Sequence, residues 1–174
     1  MSPMHGPART VTAMTLDDLP AVLAIEQAAY PLPWREKIFV DCLNAGYFGR
    51  LLHVGPQLVG YALTSVAAGE AHLLNLCVAP ERQGAGHAVA LLDTVVELCS
   101  RHAAETLFLE VRASNRRAIA LYQRYGFAEF GVRRGYYPAA TPAGKSRRAQ
   151  REDAITMGYA LIGQAPHSVA LDSA

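Results

Sequence analysis

Three segments of this chain carry residue types and spacings that can do chemistry. The first is Gln83-Gly-Ala-Gly-His-Ala88. It follows an extended run and opens a helical pattern. Small residues there let backbone N–H groups approach a phosphate, and the helix dipole favours the negative charge. No Gly-Lys-Ser/Thr follows, and only Gly84 and Gly86 stand where a dinucleotide fingerprint has three glycines. An ordinary glycine-rich turn therefore remains open at this level. His87 holds an unspecialised loop position and is expected to be solvated. The second segment is Leu107-Phe-Leu-Glu-Val-Arg-Ala-Ser-Asn115. Glu110 interrupts an apolar strand pattern, and charges are rarely buried without a partner or a task. A strand carboxylate facing a cleft can act as a base. An ion pair with Arg112 at a sheet edge is the plainer alternative. The third is Ala118-Ile-Ala-Leu-Tyr-Gln-Arg-Tyr-Gly-Phe127. Tyr122 and Tyr125 lie three apart and share a helix face. Tyr125 reads as a core aromatic, and the same reading is open for Tyr122.

The elements that must position these residues follow from periodicity. Arg9–Met14 alternates weakly, as a first strand. Thr15-Leu-Asp-Asp18 resembles a capping box, with Asp in place of Glu, and Asp17–Tyr30 reads as a helix. Pro31-Leu-Pro33 stops it. Arg35–Ala45 reads as a second helix, with Gly46 at its C-terminal cap. Tyr47–Val54, Gln57–Ala67 and Ala71–Val78, joined by short turns, predict an antiparallel meander. Gly84–Arg101 is a helix with Leu91, Leu92, Val95, Val96 and Cys99 on its apolar stripe. Thr106–Arg112 is a buried strand, with Leu107, Leu109 and Val111 on one face. Ser114 or Asn115 caps a helix that runs to Tyr125 and stops at Gly126. Phe127–Arg133 and Asp153–Leu161 are the last strands, with a long basic loop between them. The fold class is α/β: a mixed sheet of about seven strands with about four helices.

The chain has 174 residues, with 51% hydrophobic and 18% charged. That is a globular composition, long enough for one domain. We expect the domain to fill residues 1–162, with 163–174 as a flexible tail. No apolar run reaches the ~18 residues of a membrane span. Met1–Met14 lacks the layout of a signal peptide, so a cytoplasmic protein is expected. Cys42, Cys77 and Cys99 are odd in number and lack CxxC spacing. This argues against a disulfide framework and a zinc cage. The net charge of +1 hides an asymmetry: six basic residues and no acid lie between Arg133 and Arg151.

Together these segments resemble a known family. Gln83, Gly86 and Ala88 match the Gln/Arg-x-x-Gly-x-Gly/Ala loop of the GNAT N-acetyltransferases. Leu109-Glu-Val-Arg-Ala-Ser-Asn115, Ala118-Ile-Ala-Leu-Tyr122, Gly126-Phe127, Arg133-Arg134, Tyr136-Tyr-Pro138 and Glu152-Asp-Ala-Ile155 resemble its RimI-type branch, the ribosomal-protein-alanine N-acetyltransferases. Pro33-Trp34 is similar to that branch as well. The resemblance spans about Thr12 to Leu161.

The resemblance implies a sheet splayed between its fourth and fifth strands, with acetyl-CoA as co-substrate and no metal. The pantetheine arm is then expected to pair with the backbone of Leu76, Cys77 and Val78. The pyrophosphate is expected on the N–H groups of Gln83, Gly84, Ala85, Gly86, His87, Ala88 and Val89, with Asn115 touching the arm. Glu110 matches the family's general base and Tyr122 its general acid. Trp34, Tyr136 and Tyr137 are expected on loops flanking the amine end of the cleft. The implied substrate is the N-terminal alanine of a ribosomal small-subunit protein. The chemistry is coherent. An α-amine has a pKa of about 7.7–8.0, so near pH 7 much of it must lose a proton before attacking a thioester. A backbone N–H of the splayed strand can meet the developing oxyanion, and a phenol can protonate the departing thiolate. Cys77 raises an acyl-cysteine route, but no His is evidently placed to activate it.

The segment between Pro138 and Glu152 looks longer and more basic than the branch's pattern. It is either a solvated loop or a contact to an acidic protein surface or RNA. Two other functions remain in play: acetylation of a small amine or a lysine, and a non-catalytic ribosome- or RNA-binding module.

Overall fold

The computed structural model describes residues 7–139 and 151–163. The expected tail beyond residue 163 and the basic stretch 140–150 lie outside the described residues. Seven strands form one sheet: β1 (Arg9–Ala13), β2 (Phe48–Val54), β3 (Gln57–Ala67), β4 (Glu70–Val78), β5 (Thr106–Arg112), β6 (Ala128–Pro138) and β7 (Arg151–Ala160). Their order across the sheet is β1-β2-β3-β4-β5-β7-β6. The helices are α1 (Leu19–Ala29), α2 (Glu36–Asn44), α3 (His87–Arg101) and α4 (Arg116–Tyr125). The architecture is the expected mixed α/β sheet.

Local chemistry explains the elements. Thr15 and Asp18 form the capping box, with Thr15 N–H donating to Asp18 Oδ2 at 2.7 Å. It caps a 3-10 turn at Leu16–Asp18, so α1 proper begins two residues later than expected, with Pro20 in its first turn. Ala68 and Gly69, at φ +51° and +80°, make the tight β3–β4 turn. Two successive left-handed residues match the right-handed twist of a hairpin. Asn115 caps α4 by accepting from Ala118 N–H at 3.1 Å, and Gly126 stops it at φ +122°.

Alternation divides the core in two. Leu52, Ala62, Leu107, Leu109, Val111 and Met157 pack with α3 and α4 on one face. Leu51, Tyr61, Leu63 and Cys77 pack with α1 and α2 on the other. Adjacent residues such as Leu51 and Leu52 go to opposite layers because a strand turns successive side chains to opposite faces.

Two features position the site. β4 and β5 pair in parallel only from Glu70↔Thr106 to Leu73↔Leu109. Past that point β4 continues to Val78 while β5 continues beside β7, from Glu110↔Thr156 to Arg112↔Ala154. The sheet therefore opens between its fourth and fifth strands. The second feature corrects an expectation. β6 does not end at Arg133; its register slips between Arg133 and Tyr137, and pairing resumes at Tyr137↔Glu152. Gly135, at φ +57°, makes the slip possible. Tyr136 and Tyr137 thus sit on a bulged strand and not on a loop.

Candidate active site

The opening between β4 and β5 exposes backbone. Ala79 N–H donates to Val59 O at 2.8 Å. Antiparallel pairs alternate between bonded and open, so Cys77, opposite Tyr61, is tied into the ladder. Leu76 and Val78 therefore turn their polar groups toward the opening. Side chains meet their carbonyls: the Tyr30 hydroxyl donates to Leu76 O at 2.9 Å, and Gln83 Nε2 donates to Val78 O at 3.2 Å. Cys77 is buried, and burial pushes its thiol up to about 12. The thiol keeps its proton, which argues against the acyl-cysteine route.

Gln83 to Val89 form the turn into α3. Gly84 and Gly86 hold φ of +83° and +78°. A guanidinium N–H of Arg9 donates to Ala85 O, so the first strand reaches this turn. His87 departs from expectation. It opens α3 and is buried rather than solvated, and its Nδ1 is a buried atom without a partner. Burial lowers its pKa, and Arg9 and Arg82 add to the effect. A turn with left-handed glycines, a helix N-terminus and an unpartnered imidazole nitrogen in the field of Arg9 and Arg82 is suited to a diphosphate. Asn115 spends its side-chain oxygen on the α4 cap.

Glu110 and Tyr122 lie on opposite faces of the sheet. Leu109 and Val111 point into the α3–α4 layer, so Glu110 between them projects onto the face that carries α1 and α2. Its carboxylate pairs with Arg133 Nε at 2.7 Å. The sheet-edge pair with Arg112 does not form: Arg112 pairs instead with Glu152 at 2.9 Å and donates to Pro138 O at 2.6 Å. Tyr136 faces the Glu110 carboxylate, which, with burial, raises the Tyr136 phenol. The Tyr137 hydroxyl donates to Glu110 O at 3.3 Å, its ring lies under Arg112, and burial first pushes its phenol up to about 12. Tyr122 belongs to the other layer, buried in the same cluster as Leu109 and Val111 with its ring edge-on to Phe127. Burial, then Tyr137 and Cys77, raises its phenol well above the usual range. Tyr125, as expected for a core aromatic, packs on Phe127 and Tyr159 and donates to Asp93 at 2.7 Å.

Trp34 lies half-buried between α1 and α2, with its ring against Phe39 at 5.4 Å. It shares the Glu110 face of the sheet. Sequence reasoning missed two neighbours there, Tyr30 and Glu26. Glu26 is buried at 1% exposure and is met by Trp34 N–H, Tyr61 and Asn75. The signal was present, because a carboxylate on an apolar stripe beside Val22 and Ile25 is as conspicuous as Glu110 in its strand.

The chain matches the Acetyltransferase (GNAT) family over residues 17–127. It is a GNAT acetyltransferase. This acyltransferase is 40% identical over 152 residues to the ribosomal protein bS18-alanine N-acetyltransferase of Escherichia coli, covering 87% of this chain and 97% of that protein. The crystal structure of the Escherichia coli ribosomal-protein-S18-alanine N-acetyltransferase superposes with a TM-score of 0.79 at 36% identity, covering 93% of this chain and 99% of that one. An Arabidopsis thaliana protein solved with a CoA-containing bisubstrate analogue shares the fold at 19% identity, with a TM-score of 0.72 over 87% of this chain and 98% of that one. GNAT acetyltransferases use acetyl-CoA, and the turn at Gln83–Val89 fits its diphosphate. Among the described residues no three His, Cys, Asp or Glu gather as a metal site, and no helix is long and apolar enough to cross a membrane.

Proposed function

We propose that this GNAT enzyme transfers the acetyl group of acetyl-CoA to the α-amino group of an N-terminal alanine, on a ribosomal small-subunit protein in the cytoplasm. The observation that carries the reading is two-sided: Glu110 and Tyr122 occupy opposite faces at the opening where β4 leaves β5. Acetyl-CoA supplies an activated acetyl thioester. The α3 turn holds its diphosphate, and the N–H groups of Leu76 and Val78 steady the arm and the acetyl oxygen. On the other face Trp34, Tyr136 and Tyr137 line the approach of the peptide. Glu110, oriented by Arg133, takes the proton of the incoming ammonium directly or through a water. Tyr122 keeps its proton in the buried layer and donates it to the departing sulfur. The burial that raises the phenol also raises the thiolate's demand for a proton, so the transfer is not opposed as it is in water. Arg133 and Arg134 lie on β6 and Arg151 opens β7, and we assign the basic stretch from Arg133 to Arg151 a contact to an acidic protein surface or RNA.

Mass spectrometry tests this. A short peptide with free N-terminal alanine is incubated with acetyl-CoA and enzyme, beside the same peptide blocked at its N-terminus and carrying an internal lysine. One acetyl on the first and none on the second is expected. Acetyl on the lysine, or none with acetyl-CoA bound, refutes the α-amine reading and favours a lysine or small amine.

A further inference from the structure

We infer that Glu26 is a positioning residue that sets the segment between α1 and α2 as one wall of the peptide site; this rests on the α-amine reading above. Glu26 is the most deeply buried carboxylate among the described residues and takes no part in the transfer. Its two oxygens serve three elements. Oε1 accepts from Trp34 N–H at 2.9 Å. Oε2 accepts from the Tyr61 hydroxyl on β3 and from Asn75 Nδ2 on β4 at 3.1 Å. The segment 31–35 is thereby tied through one buried group to the strand that opens away from β5. A second set of contacts repeats the tie. The Trp34 ring packs on Phe39 at 5.4 Å, and Phe39 packs on Tyr61 at 5.8 Å. Tyr30, at the start of the segment, donates to Leu76 O on that same strand.

The bonds are unequal in what they demand. The Tyr61 hydroxyl and the Asn75 amide can reverse and accept, but the Trp34 N–H can only donate. An acceptor at position 26 is therefore required for the segment to sit where it does. Losing it leaves a buried donor unmet, and the segment must move to reach water. Leu32 and Pro33, exposed in the same segment, would move with it.

Trp34 is the sole tryptophan, so its fluorescence reports the segment directly. Glu26→Met fills the volume without a comparable acceptor, whereas Glu26→Gln can aim its amide oxygen at Trp34 N–H and its NH2 at Tyr61 and Asn75. The inference predicts that Glu26→Met shifts Trp34 emission to the red and raises the KM for an alanyl peptide about tenfold, while kcat and the KM for acetyl-CoA stay within about twofold. Glu26→Gln should restore the emission and the peptide KM. Should Glu26→Met fold poorly, Tyr61→Phe removes one donor only and is expected to leave the peptide KM near wild type, since the Trp34 bond survives. Either of two results overturns the inference: an unchanged peptide KM in Glu26→Met, or a rise in acetyl-CoA KM and a fall in kcat that match the peptide effect. The failure of the parent reading is separate. It appears as wild-type enzyme that acetylates no α-amine, and it removes the peptide role while Trp34 emission still reads the hold of Glu26 on the segment.

Discussion

Glu110→Gln removes a charge and leaves an amide of the same shape. Losing a general base costs about 10²–10⁴ in rate, or roughly 3–5 kcal/mol at 1.36 kcal/mol per decade. The low end applies here. The Tyr137 hydroxyl bonds the backbone oxygen of Glu110, so that support survives the substitution. Stability should barely move. The Arg133 side chain is 59% exposed and that of Glu110 25%, and such a pair is worth at most about 1 kcal/mol. The assay is kcat/KM for an alanyl peptide from pH 6.5 to 9.5. An α-amine of pKa about 7.8 is roughly one-seventh free base at pH 7 and nearly all free base at pH 9. With Glu110 in the proposed role of base, the wild-type enzyme is expected to deprotonate its bound ammonium and the variant is not. The deficit should therefore be about 10²-fold at pH 7 and shrink by about sevenfold toward pH 9. A variant with wild-type rate at pH 7, or a deficit that does not narrow with pH, refutes the assignment of Glu110.

Other outcomes follow from the same geometry. Tyr122→Phe should lower kcat while leaving the calorimetric affinity for acetyl-CoA within about twofold, because the ring and its contact with Phe127 remain. Gly60→Ala would place a Cβ 2.7 Å from Cys77 O and push β4 toward the opening; a loss of about 1–3 kcal/mol in denaturant unfolding and a raised KM for acetyl-CoA are expected. His87 has a pKa lowered by burial and by Arg9 and Arg82, so its neutral form stabilises the fold above pH 6.5 and that contribution is lost as pH falls below. The melting temperature of the ligand-free protein should thus drop more steeply from pH 7 to 5.5 than that of His87→Gln; equal slopes would exclude this cause.

Much of this was legible in the residues, for local reasons. Leu107, Leu109 and Val111 announce a strand by alternation, and Asn115 and Gly126 mark the ends of α4 by their own capping chemistry. The opening between β4 and β5 was available only through family resemblance, because no local pattern says where two strands part. The continuation of β6 was hidden for a similar reason. Its second half pairs only after a slip at Gly135, and register across a bulge is a long-range property. Partners were harder still. Arg112 is two residues from Glu110 and shares its strand face, yet Arg133 on β6 holds the carboxylate while Arg112 turns to Glu152. His87 reads as loop surface from its sequence neighbours alone, because the packing around a helix start, which Arg9 reaches from the first strand, is a long-range property.

The most direct test of the two-sided opening is a crystal structure with a bisubstrate analogue that joins CoA to an alanyl peptide through the acetyl carbon. The CoA arm is expected on the Tyr122 face, its diphosphate on the turn at Gln83–Val89, and the peptide on the Glu110 face against Trp34 and Tyr136. An analogue lying wholly on one face, with either Glu110 or Tyr122 remote from the acetyl carbon, would contradict it.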